Sequence, residues 1–209
     1  MKIRIFNIPN GIPFEQIERA KIDNRVGYDI VSLGRLKNHK GVDLLIKAVA
    51  ILVEKGSVNV RVGVIGDGPE RENLQSLINE LGLNHNIELL GEIDSFEHVY
   101  SILSSSNFCA LTTHNGGGGN LTLLEAYGCG LPVVAFKVEE GIDENLISEG
   151  VSGLFVREVS PEALADVLQR IMIDPNLLST LKLGAQQFAQ SLTWEENAAK
   201  YRKIIFDKD

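Results

Sequence analysis

The chain is short of cysteine, of positive charge and of long apolar runs, and each shortage removes a class of protein. Its 209 residues include two cysteines, Cys109 and Cys129. They fit neither a metal-ligand spacing nor a disulfide framework, so they read as reduced thiols of a cytosolic protein. Lys and Arg number 20 against 28 Asp and Glu, for a net charge of -8. A general nucleic-acid or anionic-membrane surface needs a basic footprint, which this balance argues against. No apolar stretch approaches the roughly 20 residues of a transmembrane segment, and Met1-Lys2-Ile3-Arg4-Ile5-Phe6 lacks the apolar core of a signal peptide. The four histidines, His39, His85, His98 and His114, form no metal pattern. His114 is notable only for lying beside the glycine tract 116–119, the one low-complexity segment.

What is present is a regular alternation. Short β-branched runs at 30–33, 58–65, 87–90, 108–111, 132–136 and 153–156 are apolar in the way of buried parallel strands. Between them, Val42, Leu45, Ile46, Val49, Leu52 and Val53 repeat at helical spacing, as do Leu164, Val167, Leu168, Ile171 and Met172. Ser160-Pro161-Glu162 marks a helix start, with a capping serine before a proline at the first helical position. After Pro175 the pattern is helical only, ending with residues 194–206. With 44% hydrophobic residues the length suits one well-buried core. The expected fold is therefore a single α/β, Rossmann-like domain: a parallel sheet of about six strands flanked by helices, with C-terminal helices appended. Residues 1–28 would be a lead-in segment, 29–173 the α/β core and 174–209 the C-terminal helices.

The first candidate site is Gly34-Arg35-Leu36-Lys37-Asn38-His39-Lys40-Gly41, which follows the apolar run at 30–33 and opens an amphipathic segment. A strand ending in a glycine turn, with cations such as Arg35 and Lys40 and a helix N-terminus beyond, gathers positive charge and free N–H groups where a diphosphate could sit. The alternative is a basic, solvated βα turn. Four more elements follow in order: Ile65-Gly66-Asp67-Gly68-Pro69-Glu70, Leu90-Gly91-Glu92-Ile93, Asn120-Leu121-Thr122-Leu123-Leu124-Glu125-Ala126, and Gly128-Cys129-Gly130-Leu131-Pro132-Val133-Val134-Ala135. Each falls at the carboxyl end of an expected strand or the start of the next helix, where open α/β sheets bind ligands. Gly66-Asp67-Gly68-Pro69 is a poor dinucleotide fingerprint, since a proline intrudes and a third suitably placed glycine is missing, so it reads mainly as a tight turn. A nicotinamide-dependent oxidoreductase would share the sheet but lacks that fingerprint.

The ordered set resembles the nucleotide-sugar-binding, C-terminal half of family 4 glycosyltransferases of the GT-B fold, from about Ile8 to Phe206, and Ile8-Pro9-Asn10-Gly11-Ile12 looks like that family's lead into its second domain. The resemblance implies that Arg35 and Lys40 bind the donor diphosphate, and such cations would stabilise it as it leaves, without a metal ion. It implies that Glu125 contacts the nucleotide ribose. A carboxylate there can accept two hydroxyl hydrogen bonds, although the helix dipole would favour it in any protein. Backbone N–H groups of Asn120, Leu121 and Thr122, past the glycines, are placed for phosphate oxygens, and the loop from Gly117 through Gly118 and Gly119 would hold phosphate or sugar. Gly34 belongs to the same site, and the resemblance gives Ile93 a backbone contact to the base. No cofactor or metal is implied beyond a nucleoside diphosphate sugar donor of UDP or GDP type.

The sequence departs from the family in one place. A first glutamate usually stands eight positions before the one matched to Glu125, and here that position is Gly117. The glutamate normally helps to hold the donor sugar, and a glycine tract can offer only backbone donors in its place. Family members also carry their acceptor site on an N-terminal domain, so the chain is expected to be half an enzyme, as a fragment or as a subunit that pairs with another chain. Residues 194–206 either pair with that absent domain or cap this domain's own core. The expected function is donor binding in a retaining glycosyltransferase that moves a sugar to a glycan, lipid or protein. The alternative is a non-catalytic binding or scaffolding subunit. No nucleic-acid partner is expected, and the expected location is the cytoplasm, with attachment at the inner membrane surface left to the absent domain.

Overall fold

The structure, a computed structural model, describes residues 8, 10–20, 27–115, 120–139 and 141–206. Six strands form one sheet: β1 (Ile30–Leu33), β2 (Val62–Ile65), β3 (Ile87–Gly91), β4 (Phe108–Leu111), β5 (Val133–Phe136) and β6 (Gly153–Val156). Every pairing is parallel, and the spatial order is β3-β2-β1-β4-β5-β6. The helices are α1 (Phe14–Ala20), α2 (Val42–Glu54), α3 (Arg71–Glu80), α4 (Phe96–Ser104), α5 (Asn120–Gly128), α6 (Pro161–Ile173), α7 (Pro175–Gln190) and α8 (Trp194–Phe206).

Alternation along the strands explains the three layers, because successive side chains leave a strand on opposite faces. Ile30, Val62, Val64, Phe108, Val134 and Phe136 join one apolar cluster with α2, α3 and α6. Val31, Ile65, Cys109, Leu111, Val133 and Phe155 join the other, with α1, α4 and α5. With both faces covered, the strands can be apolar at nearly every position. The segments that follow β1 and β4 run to opposite faces of the sheet, although the two strands are neighbours. Their carboxyl ends therefore border a crevice, the topological switch point of an open α/β sheet.

Two strand starts differ from expectation. The run at 58–65 reads as strand throughout, yet β2 begins at Val62. Val58 is 60% exposed. The Val60 N–H donates to the Ser57 carbonyl, and the Asn86 amide donates to the Val58 and Val60 carbonyls, so these backbone groups are spent on a turn. β5 begins at Val133 rather than Pro132, which accepts a hydrogen bond from Cys109 but has no N–H to give. The start of α6 is as expected, with the Ser160 hydroxyl accepting from the Ala163 N–H and Pro161 in the first turn.

The lead-in is tied to the other end of the chain. The Ile12 N–H donates to the Leu192 carbonyl, and the Trp194 ring covers Gly11. The rest of α8 behaves differently. Among its described residues Asn197 alone is buried, while Tyr201, Ile205 and Phe206 are exposed. Its apolar edge therefore does not cap this domain's core.

Candidate functional site

Three strand-end turns are laced together by backbone. Gly34 N–H donates to the Ile65 carbonyl, Gly66 N–H to the Gly91 carbonyl, and Leu36 N–H to the Asp67 carbonyl. Gly66 has φ +128°, and a Cβ built there would lie 2.1 Å from the Gly34 carbonyl oxygen. This close approach is a structural reason for the Gly66-Asp67-Gly68 turn, which holds the Gly34-Arg35 turn in position. Thr112 and His114, past β4, fix the Lys40 turn from the other side. The Thr112 hydroxyl donates to the Lys40 carbonyl at 2.8 Å, and the His114 N–H donates to the His39 carbonyl at 3.1 Å. The His114 ring lies against Gly41, and its Nδ1 is buried with no hydrogen-bond partner among the described residues.

Two adjoining cavities occupy the crevice and share Leu33, Gly34, Arg35 and Thr122. The smaller, about 260 Å³, is lined by Arg35 and Lys40 together with Ser32, Thr112 and Thr113, and by no carboxylate. The larger, about 620 Å³, adds Asp67, Glu92, Ile93, Phe96, Tyr100 and Glu125. Arg35 and Lys40 thus face a cavity without carboxylates, while Asp67, Glu92 and Glu125 line the larger one, which Arg35 also borders.

Among the described residues, neither the Arg35 nor the Lys40 side chain makes an ion pair or hydrogen bond, whereas Lys47, Lys55, Lys137 and Arg157 are each paired with a carboxylate. Lys40 is half-buried, and its pKa is lowered by burial and by the nearby charge of Lys37. Both causes disfavour its ammonium form, and an anion in the smaller cavity would oppose both. At the other end Glu125, in the second turn of α5, accepts a hydrogen bond at 3.3 Å from the Tyr100 hydroxyl. Burial raises the Glu125 pKa and the Tyr100 bond works against that rise.

The expected site residues are mostly brought together. Gly34 and Arg35 line both cavities, Lys40 the smaller, and Ile93 and Glu125 the larger. Asn120, Leu121 and Thr122 form the first turn of α5, where backbone N–H groups have no partner within the helix. Thr122 borders both cavities. The Asn120 side chain accepts from the Asp143 N–H at 3.1 Å, so it is committed to the loop after β5. Leu121 lines neither cavity but a third hollow with Trp194 and Gln16, which shares Phe96, Tyr100 and Glu125 with the larger one. Gly117, Gly118 and Gly119 lie outside the described residues. Among the described residues no group of three or more His, Cys, Asp or Glu side chains could hold a metal ion, and no helix is long and apolar enough to cross a membrane.

Sequence reasoning did not find Phe96 and Tyr100. They sit one turn apart on α4 and stack with ring centroids 6.3 Å apart. Their spacing of four is the available signal, but it equally suits a core stripe.

Comparison with known proteins agrees with this architecture. Residues 14–188 match the family described as Glycosyl transferases group 1. An uncharacterized glycosyltransferase of Methanocaldococcus jannaschii is 29% identical over 207 residues, covering 95% of this chain and 51% of its own length. The chain therefore spans about half of that relative. The crystal structure of the C-terminal domain of LpcC, a glycosyl transferase group 1 family protein of Francisella tularensis, superposes with a TM-score of 0.69 at 23% identity, covering 88% of this chain and 93% of that one. The pneumococcal O-GlcNAc transferase GtfA, crystallised with UDP and GlcNAc, superposes with a TM-score of 0.74 at 23% identity over 86% of this chain and 35% of its own. With a family match over most of its length and one Rossmann-like half of a GT-B enzyme as its fold, this chain belongs to the group 1 glycosyl transferases.

Proposed function

We propose that the chain is the donor-binding domain of a retaining, family 4 glycosyltransferase, which moves a sugar from a nucleoside diphosphate sugar of UDP or GDP type to a glycan, lipid or protein. The observation that carries this reading is the division of the crevice, with Lys40 at one end, Glu125 at the other and Arg35 bordering both cavities, the two cations being unpaired among the described residues. The diphosphate would lie in the smaller cavity, where the two cations neutralise charge as the sugar bond breaks. The first-turn N–H groups of Asn120, Leu121 and Thr122 would add donors at the positive end of the α5 dipole. The nucleoside would fill the larger cavity, its ribose on Glu125 and its base beside Ile93. The sugar would reach toward Gly117, Gly118 and Gly119. The group 1 family membership and the UDP of the pneumococcal neighbour support this assignment.

Residues 1–28 would then be the lead-in from an N-terminal domain, 29–173 the binding core and 174–209 the C-terminal helices. The acceptor would bind on that N-terminal domain, in the same parent protein or on a partner subunit, so this chain alone would bind nucleotide and transfer little sugar. The solvent-facing apolar edge of α8 supports such pairing. A second reading, a scaffolding subunit that has lost its donor chemistry, is favoured by glycine at position 117.

Thermal unfolding against UDP, GDP, ADP, their sugar conjugates and NAD separates these readings. Ligand at a hundred times its dissociation constant adds about 2.7 kcal/mol, or several degrees. The proposal expects a shift with one nucleoside diphosphate that is lost in Arg35→Ala and Glu125→Ala. A flat panel favours the scaffold, and a shift with NAD alone favours an oxidoreductase.

A further inference from the structure

Tyr100 is an expensive choice for its position. It is 2% exposed and belongs to the apolar cluster around α1, α4 and α5. A phenylalanine would fill the same space without a hydroxyl to satisfy, and a buried hydroxyl left alone destabilises the fold. The hydroxyl points at Glu125 and donates to its Oε1 at 3.3 Å. Among the described residues this is the one hydrogen bond that the Glu125 carboxylate accepts. A carboxylate has about four acceptor sites, so the bond consumes one and leaves the others open to the cavity.

We infer that Tyr100 is a positioning residue, which fixes the rotamer of the Glu125 carboxylate so that its remaining acceptor sites meet the vicinal hydroxyls of a ribose. The inference rests on the nucleotide-binding reading above. The geometry restricts both partners. Tyr100 is held by burial, and the largely exposed Phe96 ring stacks on it, with centroids 6.3 Å apart and rings inclined by 26°. Glu125 is held on a helix whose neighbouring residues Leu123, Leu124 and Ala126 are buried. A glutamate side chain alone has several accessible rotamers, and ordering it costs free energy that would otherwise be charged to ligand binding. A fixed phenol 3.3 Å from one oxygen lowers that cost before the ligand arrives. The same bond favours the ionised carboxylate, the form that accepts from two hydroxyls.

The test is a titration of the chain with UDP and with 2′,3′-dideoxy-UDP, for the unmodified sequence, Tyr100→Phe, Glu125→Ala and the double variant. Tyr100→Phe keeps the ring and its stack and removes one oxygen. The inference expects it to weaken UDP about tenfold and dideoxy-UDP less than about twofold. It also expects the acid-side loss of UDP binding to move to higher pH, because the carboxylate has lost a donor. In the Glu125→Ala background the Tyr100→Phe change should have no further effect on UDP. Should Tyr100→Phe unfold, the comparison passes to Tyr100→Leu, which must show the same restriction to ligands bearing ribose hydroxyls. Equal losses for the two ligands, or no loss, would overturn the positioning role and leave nucleotide binding intact. Failure of the unmodified chain to bind UDP, GDP or ADP would overturn the underlying reading and this inference with it.

Discussion

Replacing Gly66 by alanine tests whether the strand-end turns are coupled as tightly as their backbone contacts imply. The added Cβ would lie 2.1 Å from the Gly34 carbonyl oxygen and 2.9 Å from its carbon, and φ at Gly66 is +128°. Gly56 is a matched control, because its φ is +102° and an added Cβ there meets nothing within 4 Å. Gly56→Ala should therefore cost only the conformational strain, about 1–2 kcal/mol. Gly66→Ala carries a similar strain and must also displace a neighbouring backbone held by the Gly34–Ile65 and Leu36–Asp67 hydrogen bonds, for a total of about 4 kcal/mol. At roughly 2–4 °C per kcal/mol for a domain of this size, the variants should melt about 10 °C and about 4 °C below the unmodified chain. Urea unfolding followed by circular dichroism measures the difference directly. Because the displaced turn carries Arg35, Gly66→Ala should also weaken nucleotide binding, which Gly56→Ala should leave alone. Equal destabilisation by the two changes would refute the reasoning.

Three further outcomes follow from the same geometry. Burial raises the Glu125 pKa above its usual 4.5, so its stability contribution is complete below that pH and is lost as pH rises through the raised value. Ribose hydroxyls favour the carboxylate, so UDP should bind more tightly as pH rises through the same window, and Glu125→Gln should flatten that limb of a calorimetric titration. The Lys40 pKa is lowered from 10.5, so UDP affinity should begin to fall on the alkaline side before that pH, and Lys40→Ala should remove that part of the fall while leaving the part that ionisation of the uracil ring gives UDP and uridine alike. Ile205 and Phe206 are 64% and 73% exposed, so Ile205→Lys with Phe206→Lys should move the melting temperature by less than about 2 °C. Leu168→Ala in the core should cost about 2–5 kcal/mol by contrast.

The fold was legible wherever a short apolar run met a glycine turn. β1, β4 and β6 have the expected bounds because their buried positions leave no polar residue to blur them except Ser32. Residues 58–61 misled because Val58 and Val60 alternate as in a strand and Val60 is buried as a strand residue would be, while the Asn86 amide that captures the Val58 and Val60 carbonyls is remote in sequence. The site divides in the same manner. That Arg35, Lys40 and Glu125 line one crevice was readable because each stands next to a strand end or in the opening turns of a helix, and the sheet order then brings those ends together. Tyr100 and Phe96 were not, since an aromatic on a helix shows nothing of the carboxylate its hydroxyl meets 25 positions later. Nor could sequence show that the Lys40 turn is pinned by the Thr112 hydroxyl, a contact between loops 72 positions apart.

The central claim is that the smaller cavity takes phosphate and the larger takes nucleoside, and calorimetric titration with paired ligands tests it most directly. UDP and uridine would be titrated into the unmodified chain, the Arg35→Ala/Lys40→Ala variant and Glu125→Ala, with GDP and guanosine run in parallel. The account predicts that UDP or GDP binds more tightly than its nucleoside, that loss of both cations removes most of this advantage, and that Glu125→Ala weakens nucleotide and nucleoside alike. A nucleotide affinity unchanged by the loss of Arg35 and Lys40 would contradict it.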